Sequence, residues 1–172
     1  MLEQPNWETV IKNLEKLPGD KKPFDKTLEN CNPEYLKIYK KWTDANFNLD
    51  SIQWVNFYPG IDFDWSIVEY YKKQFNFSGL HRAWISKVSP GYMAAWHWDV
   101  DDREKEYLSQ GKIDRYSVMM QDCELGQVFY LDKDIYHSYS ANFVIHWNPY
   151  NAWHCGLNGS MKPKYMLHVL GY

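Results

Sequence analysis

Cysteine is scarce in this 172-residue chain: Cys31, Cys123 and Cys155 are the full complement, and no two form a C-x-x-C pair. Neither a disulfide framework nor a zinc-ribbon site is indicated, and a reducing compartment is the simpler expectation. Basic charge is not in excess either. The formal net charge of −3 argues against a nucleic-acid scaffold. No apolar run approaches the length of a bilayer-spanning helix, and Met1–Asn6 has neither a basic n-region nor an apolar h-region. A cytoplasmic location without membrane attachment is therefore expected. There is no internal repeat, no low-complexity segment, no Ser/His/Asp triad and no phosphate-binding loop.

Aromatic side chains are plentiful, with nine Trp and 14 Tyr in an aromatic content of 18%. They suit a β-rich fold with a wide, rigid pocket better than a helical bundle. The length fits one domain over residues 1–172, with helical support over about 1–79 and a β-rich core over about 80–172. Asn6 is placed to cap a helix from Trp7 to about Leu17, stopped by Pro18-Gly19. A loop runs on through Pro23. A second helix starts at Asn32-Pro33 and presents Leu36, Tyr39 and Trp42 inward. Residues 52–58 alternate as a strand, and Asp64 caps a helix from Trp65 to about Phe75. From Leu80 onward, short aromatic or β-branched runs predict strands at 81–88, 92–99, 113–121, 127–132, 135–139, 143–147 and 164–170. That spacing implies a sandwich or double-sheet barrel, interrupted by a short helix over 101–108.

The chemistry concentrates in Trp96-His97-Trp98-Asp99 and, much later, Trp153-His154. Two imidazoles and a carboxylate form the ligand set of a non-haem Fe(II) centre with an open face. On a strand, residues i and i+2 share a face, so His97 and Asp99 can grip one metal only if this stretch is extended. Lys164 comes ten residues after His154 and opens the last predicted strand, where Lys164, Met166 and His168 share one face. A lysine facing a barrel interior is costly to bury alone and becomes reasonable against an anion. His146 and His168 are either neighbours that support the ligands or core histidines. Arg115 pairs either with a substrate carboxylate or in a structural salt bridge. Cys155 is discounted as a ligand, because adjacent strand residues face opposite ways.

H-x-D, a distant His and a basic residue ten positions on resemble the 2-oxoglutarate- and Fe(II)-dependent dioxygenases, nearest in texture to their prolyl-4-hydroxylase-like branch. The resemblance covers roughly residues 80–172. It includes Pro90-Gly91 before the first motif, Arg115–Met120 followed by Leu125–Phe129, and Phe143–Asn148 before the second histidine. It implies a double-stranded β-helix (jelly-roll) core in a β-rich α+β fold. It also implies Fe(II) on His97, Asp99 and His154, 2-oxoglutarate with its far carboxylate on Lys164, O2 as co-reactant, and ascorbate to keep the iron reduced. The implied reaction yields succinate and carbon dioxide while an unactivated C–H bond of a peptide, amino acid or small metabolite is hydroxylated. Two departures stand out. Val88 occupies the place of a tyrosine that commonly binds the cosubstrate, and Gln127 replaces the second glycine of a Gly-Gly pair. Ser117 or Tyr92 is then expected to supply the missing cosubstrate contact. The alternatives are a non-catalytic jelly-roll binding module and an AlkB-like nucleic-acid demethylase. The latter carries paired arginines where this chain has Lys162 and Lys164, and the acidic balance disfavours it.

Overall fold

A computed structural model of the chain describes residues 4–23, 33–99, 113–149 and 152–172. The first helix, α1 (Trp7–Leu14), begins where the Asn6 side chain accepts a hydrogen bond from the Thr9 backbone N–H. It buries Trp7 and Leu14. It ends one turn short of Leu17, because the next donors, Lys16 and Leu17, bond three residues back and tighten the chain ahead of Pro18. The second helix, α2 (Pro33–Asp44), starts at the expected proline. In α3 (Ser66–Gln74), Asp64 accepts from the Ser66 N–H, and Ile67, Val68 and Tyr71 are buried. Among the described residues no helix is long and apolar enough to cross a membrane.

Among the described residues ten strands follow one another: β1 (Asp20–Pro23), β2 (Gln53–Phe57), β3 (Leu80–Val88), β4 (Met93–His97), β5 (Asp114–Met119), β6 (Gln127–Leu131), β7 (Asp134–Tyr136), β8 (Val144–Trp147), β9 (His154–Asn158) and β10 (Lys164–Gly171). One sheet has the order β1-β2-β3-β10-β5-β8 and the other β4-β9-β6-β7, with antiparallel pairing throughout. From β3 onward the chain crosses between two four-stranded layers, so that β3, β10, β5 and β8 face β4, β9, β6 and β7. This is the double-stranded β-helix, a jelly roll with few helices. The first 79 residues are not purely helical, since β1 and β2 extend the larger sheet beyond β3.

Two strands depart from the sequence reading. β1 falls where a loop was expected; its lysines carry little β signal, and it exists because β2 offers a free edge. β9 was absent from the expected strands. Its Cys-Gly-Leu-Asn run is a weak strand former, but it is hydrogen-bonded on both sides, by β4 and β6. The helix expected over 101–108 lies outside the described residues.

β10 is buried along its whole length because it is a central strand covered on both faces. Tyr165, Leu167 and Val169 pack with Trp7 and Leu14 of α1 and Ile67, Val68 and Tyr71 of α3. Lys164, Met166 and His168 face the other way, into a cavity between the sheets.

Candidate metal centre

The cavity brings His97, Asp99 and His154 together, with one ligand atom from each lying within 4.8 Å of the others. Strict alternation along β4 would not achieve this. Ala94 and His97 are three residues apart and both line the cavity, which requires a change of face between them. The pairing of β4 with β9 shows how it happens: Ala94 pairs with Gly156 and His97 with His154, and the register shifts in between. The extra residue of this bulge turns His97 inward. Its imidazole sits 4.1 Å, centroid to centroid, from that of His154, the first residue of β9. Asp99 lies two residues past the end of β4, with Oδ1 at 3.8 Å from His97 Nε2 and Oδ2 at 3.6 Å from His154 Nε2.

The donor set fits a divalent cation. In each histidine Nδ1 faces the carbonyl two residues earlier, His97 that of Ala95 and His154 that of Ala152. A carbonyl can only accept, so Nδ1 carries the proton and Nε2 keeps its lone pair for a metal. Burial lowers the pKa of both imidazoles, and Arg115 adds to the effect, so both are neutral near pH 7. Burial alone would raise the Asp99 carboxyl. Arg115, then His154 and His97, outweigh it and hold Asp99 well below the usual carboxylate range. Two neutral imidazoles beside a fixed carboxylate are the protonation states a metal needs.

Arg115 is the residue whose place in this centre the sequence left open. It is 1% exposed on β5, and its Nη1 lies 2.7 Å from Asp99 Oδ2. The contact is ionic, since no described N–H is directed at that oxygen along a hydrogen-bond line. The guanidinium sits 3.4 Å from the Trp147 ring centroid and 4.9 Å from that of Trp84. Nη2 reaches His168 Nδ1 at 3.2 Å, which makes that nitrogen an acceptor. The opposite His168 Nε2–H then donates to Ser86 Oγ at 3.0 Å. His168 stacks on Trp84 and lines the cavity as a neutral, fully bonded imidazole.

The remaining expected site residues divide. Lys164 lines the cavity, 3% exposed, with Nζ donating to the Val128 carbonyl at 2.8 Å and lying 5.0 Å from the Phe129 ring centroid. Among the described residues no carboxylate pairs with it. Burial pulls its pKa down to about 7. It pairs across the sheet with Val88, also a cavity residue. Ser117 is fully buried behind the cavity wall: its Oγ accepts from Trp147 Nε1–H at 2.7 Å and lies 2.8 Å from His168 Nδ1. Its hydroxyl orients His168 and is not offered to a cosubstrate. Tyr92 is 37% exposed and outside the cavity, because it follows the turn at Gly91 (φ +78°) ahead of β4. Ser117 and Tyr92, from which cosubstrate contacts were expected, thus do not line the cavity. Gln127 serves the loop before β10, donating to Ser160 Oγ and the Lys162 carbonyl. Sequence reasoning passed over Trp54, Asn56, Trp84 and Ser86, all cavity residues; the alternation of β2 and β3 held the signal.

No family model matches the chain, and no curated protein matches it. Solved structures with a similar fold include a cupin domain from Bordetella pertussis Tohama I (12% identity, 51% of this chain and 77% of that one, TM-score 0.36). A sugar phosphate isomerase of the cupin superfamily from Silicibacter pomeroyi shares 10% identity over 69% of this chain, which spans 59% of that protein, at a TM-score of 0.40. A predicted oxalate decarboxylase from Thermotoga maritima shares 13% identity over 69% of this chain and 80% of that one, at 0.39. Likenesses this distant assign no role to any residue. The fold rests on the strand order, and the candidate centre on its own geometry.

Proposed function

We propose that the chain is an Fe(II)- and 2-oxoglutarate-dependent oxygenase of the prolyl-4-hydroxylase-like branch, hydroxylating an unactivated C–H bond of a peptidyl residue, amino acid or small metabolite. The observation that carries this reading is Lys164, a buried lysine in the wall of the cavity that holds the His97–Asp99–His154 group. Such a cation is costly unless it meets an anion, and a dicarboxylate reaching toward the triad supplies one.

His97, Asp99 and His154 would hold the iron. Bound Fe(II), with 2-oxoglutarate and O2, supplies the oxidising power that ends in succinate, carbon dioxide and a hydroxylated product. The protein's own part is to position and exclude. The Ala95 and Ala152 carbonyls keep both Nε2 lone pairs inward. Lys164, braced by the Val128 carbonyl, holds the far carboxylate. Val88, Ala94, Phe129 and Met166 line the same cavity with apolar surface and keep water from it.

The purified protein supplied with Fe(II), ascorbate and 2-oxoglutarate in air should form succinate even without its prime substrate. Anaerobic addition of 2-oxoglutarate should produce a weak visible charge-transfer band. A metal-loaded protein giving neither sinks the reading. One observation favours the second reading, a non-catalytic binding module: the Asp99 carboxylate already has a cationic partner in Arg115. Under that reading no metal binds stoichiometrically, which a metal titration decides.

A further inference from the structure

The three candidate ligands are not held alike. His97 ends β4, His154 opens β9, and each imidazole is tied through Nδ1 to a carbonyl two residues earlier. Asp99 lies beyond the end of β4, and its carboxylate meets the two imidazoles and Arg115. Its side chain has no backbone tie among the described residues.

Arg115, by contrast, is held by its strand and by the side chains packed around its guanidinium. Its strand is paired on both edges, with Leu170 of β10 and Trp147 of β8 as its own partners. Its guanidinium lies over the Trp147 ring, near Trp84, and reaches His168 Nδ1. A rigid cation is thus delivered to the one ligand that lacks a scaffold of its own. It approaches Oδ2 and leaves Oδ1 on the side of His97 Nε2.

We propose that Arg115 is the positioning residue of the centre: it orients the Asp99 carboxylate so that one oxygen is presented to a divalent cation together with His97 and His154. This rests on reading those three residues as a metal triad. Arg115 touches no reacting atom under this proposal and acts only through Asp99. A carboxylate with free rotation would lose affinity through the entropy of fixing it, and a guanidinium held in place beside Oδ2 removes part of that loss in advance.

The test is a double-mutant cycle read by Mn(II) binding, following the free ion by electron paramagnetic resonance, with thermal unfolding recorded for each variant. Arg115→Met should weaken Mn(II) binding by about ten- to a hundredfold, the usual effect of removing a group that orients a ligand. Arg115→Lys, which keeps the charge without the fork, should recover part of the loss. In an Asp99→Ala background, Arg115→Met should change the affinity by less than about twofold, because the group it acts through is gone. Equal losses in the two backgrounds would assign Arg115 a packing role and overturn the proposal, as would undiminished binding by Arg115→Met. If Arg115→Met does not fold, the cycle with Arg115→Lys decides: a loss of severalfold or more that disappears in Asp99→Ala supports the proposal, and no loss or a persisting one overturns it. Wild-type protein that binds no Mn(II) overturns the metal triad itself, a different failure.

Discussion

Lys164 ties the proposed cosubstrate to proton uptake. Burial lowers its ammonium from the ordinary value of 10.5 to about 7. Between those two values the unfolded chain holds a proton that the folded protein does not, so stability from this group rises with pH across that window. Below pH 7 both states are protonated and the burial penalty is fully present, on the order of 5 kcal/mol at 1.36 kcal/mol per unit. A bound dicarboxylate reverses the preference by pairing with the ammonium. At pH 8, one unit above the folded value, about nine in ten free molecules carry neutral Lys164; a contact of about 1.5–3 kcal/mol then makes 2-oxoglutarate binding take up roughly half to four-fifths of a proton. Apparent affinity should be level below pH 7 and fall above it by about ten- to a hundredfold in total, levelling off once the lysine is neutral in the complex as well. Isothermal titration calorimetry of 2-oxoglutarate into Mn(II)-loaded protein, at pH 6 to 9 in buffers of different ionisation enthalpy, reads both quantities. Lys164→Ala removes a charge-assisted contact of about 1.5–3 kcal/mol, which is roughly a ten- to hundredfold loss at pH 6, and should abolish the pH dependence. Lys164→Arg keeps its charge throughout, so whatever affinity it retains should not vary with pH. Wild-type affinity that stays flat across this range without proton uptake would falsify the role given to Lys164.

Three further outcomes are expected. His97→Ala and His154→Ala should each abolish Mn(II) binding while the domain stays folded, and full metal stoichiometry in either variant removes that residue from the ligand set. Lys162 is exposed and paired with Glu124 on the far side of Pro163, so Lys162→Ala should leave 2-oxoglutarate affinity within about twofold of wild type, well short of a charge-assisted contact. Leu167→Ala empties a fully buried site between β10 and the helices; chemical denaturation should show a loss of about 2–5 kcal/mol, and a loss under 1 kcal/mol would mean that this face is not the core described.

The glycine at 126 shows how local chemistry and long-range contact combine. Its φ of +96° belongs to the region that favours glycine, and a Cβ there would stand 2.8 Å from the Gly159 carbonyl carbon. The turn before β6 is visible in the Leu125-Gly126 pair, whereas the close approach of the loop before β10 appears only once β6 and β9 have paired.

What the sequence determined by itself is local and periodic. Asn6 and Asp64 mark helix starts through side-chain oxygens that reach nearby N–H groups. The alternation of β10 puts Lys164, Met166 and His168 on one face, and the i, i+2 spacing of His97 and Asp99 allows a shared ligand role. Contacts made between distant strands were left to the tertiary structure. Pairing on both sides makes β9 a strand despite its composition, and the bulge between Ala94 and His97 decides which face of β4 carries the imidazole. Arg115 faces Asp99 because β5 and the end of β4 lie on opposite walls of one cavity, 16 residues apart in the chain but 2.7 Å apart between charges. Ser117 and Tyr92 fall outside the cavity lining for the same reason: the direction in which a side chain points depends on what the neighbouring strand leaves open, and periodicity along one segment does not contain that information.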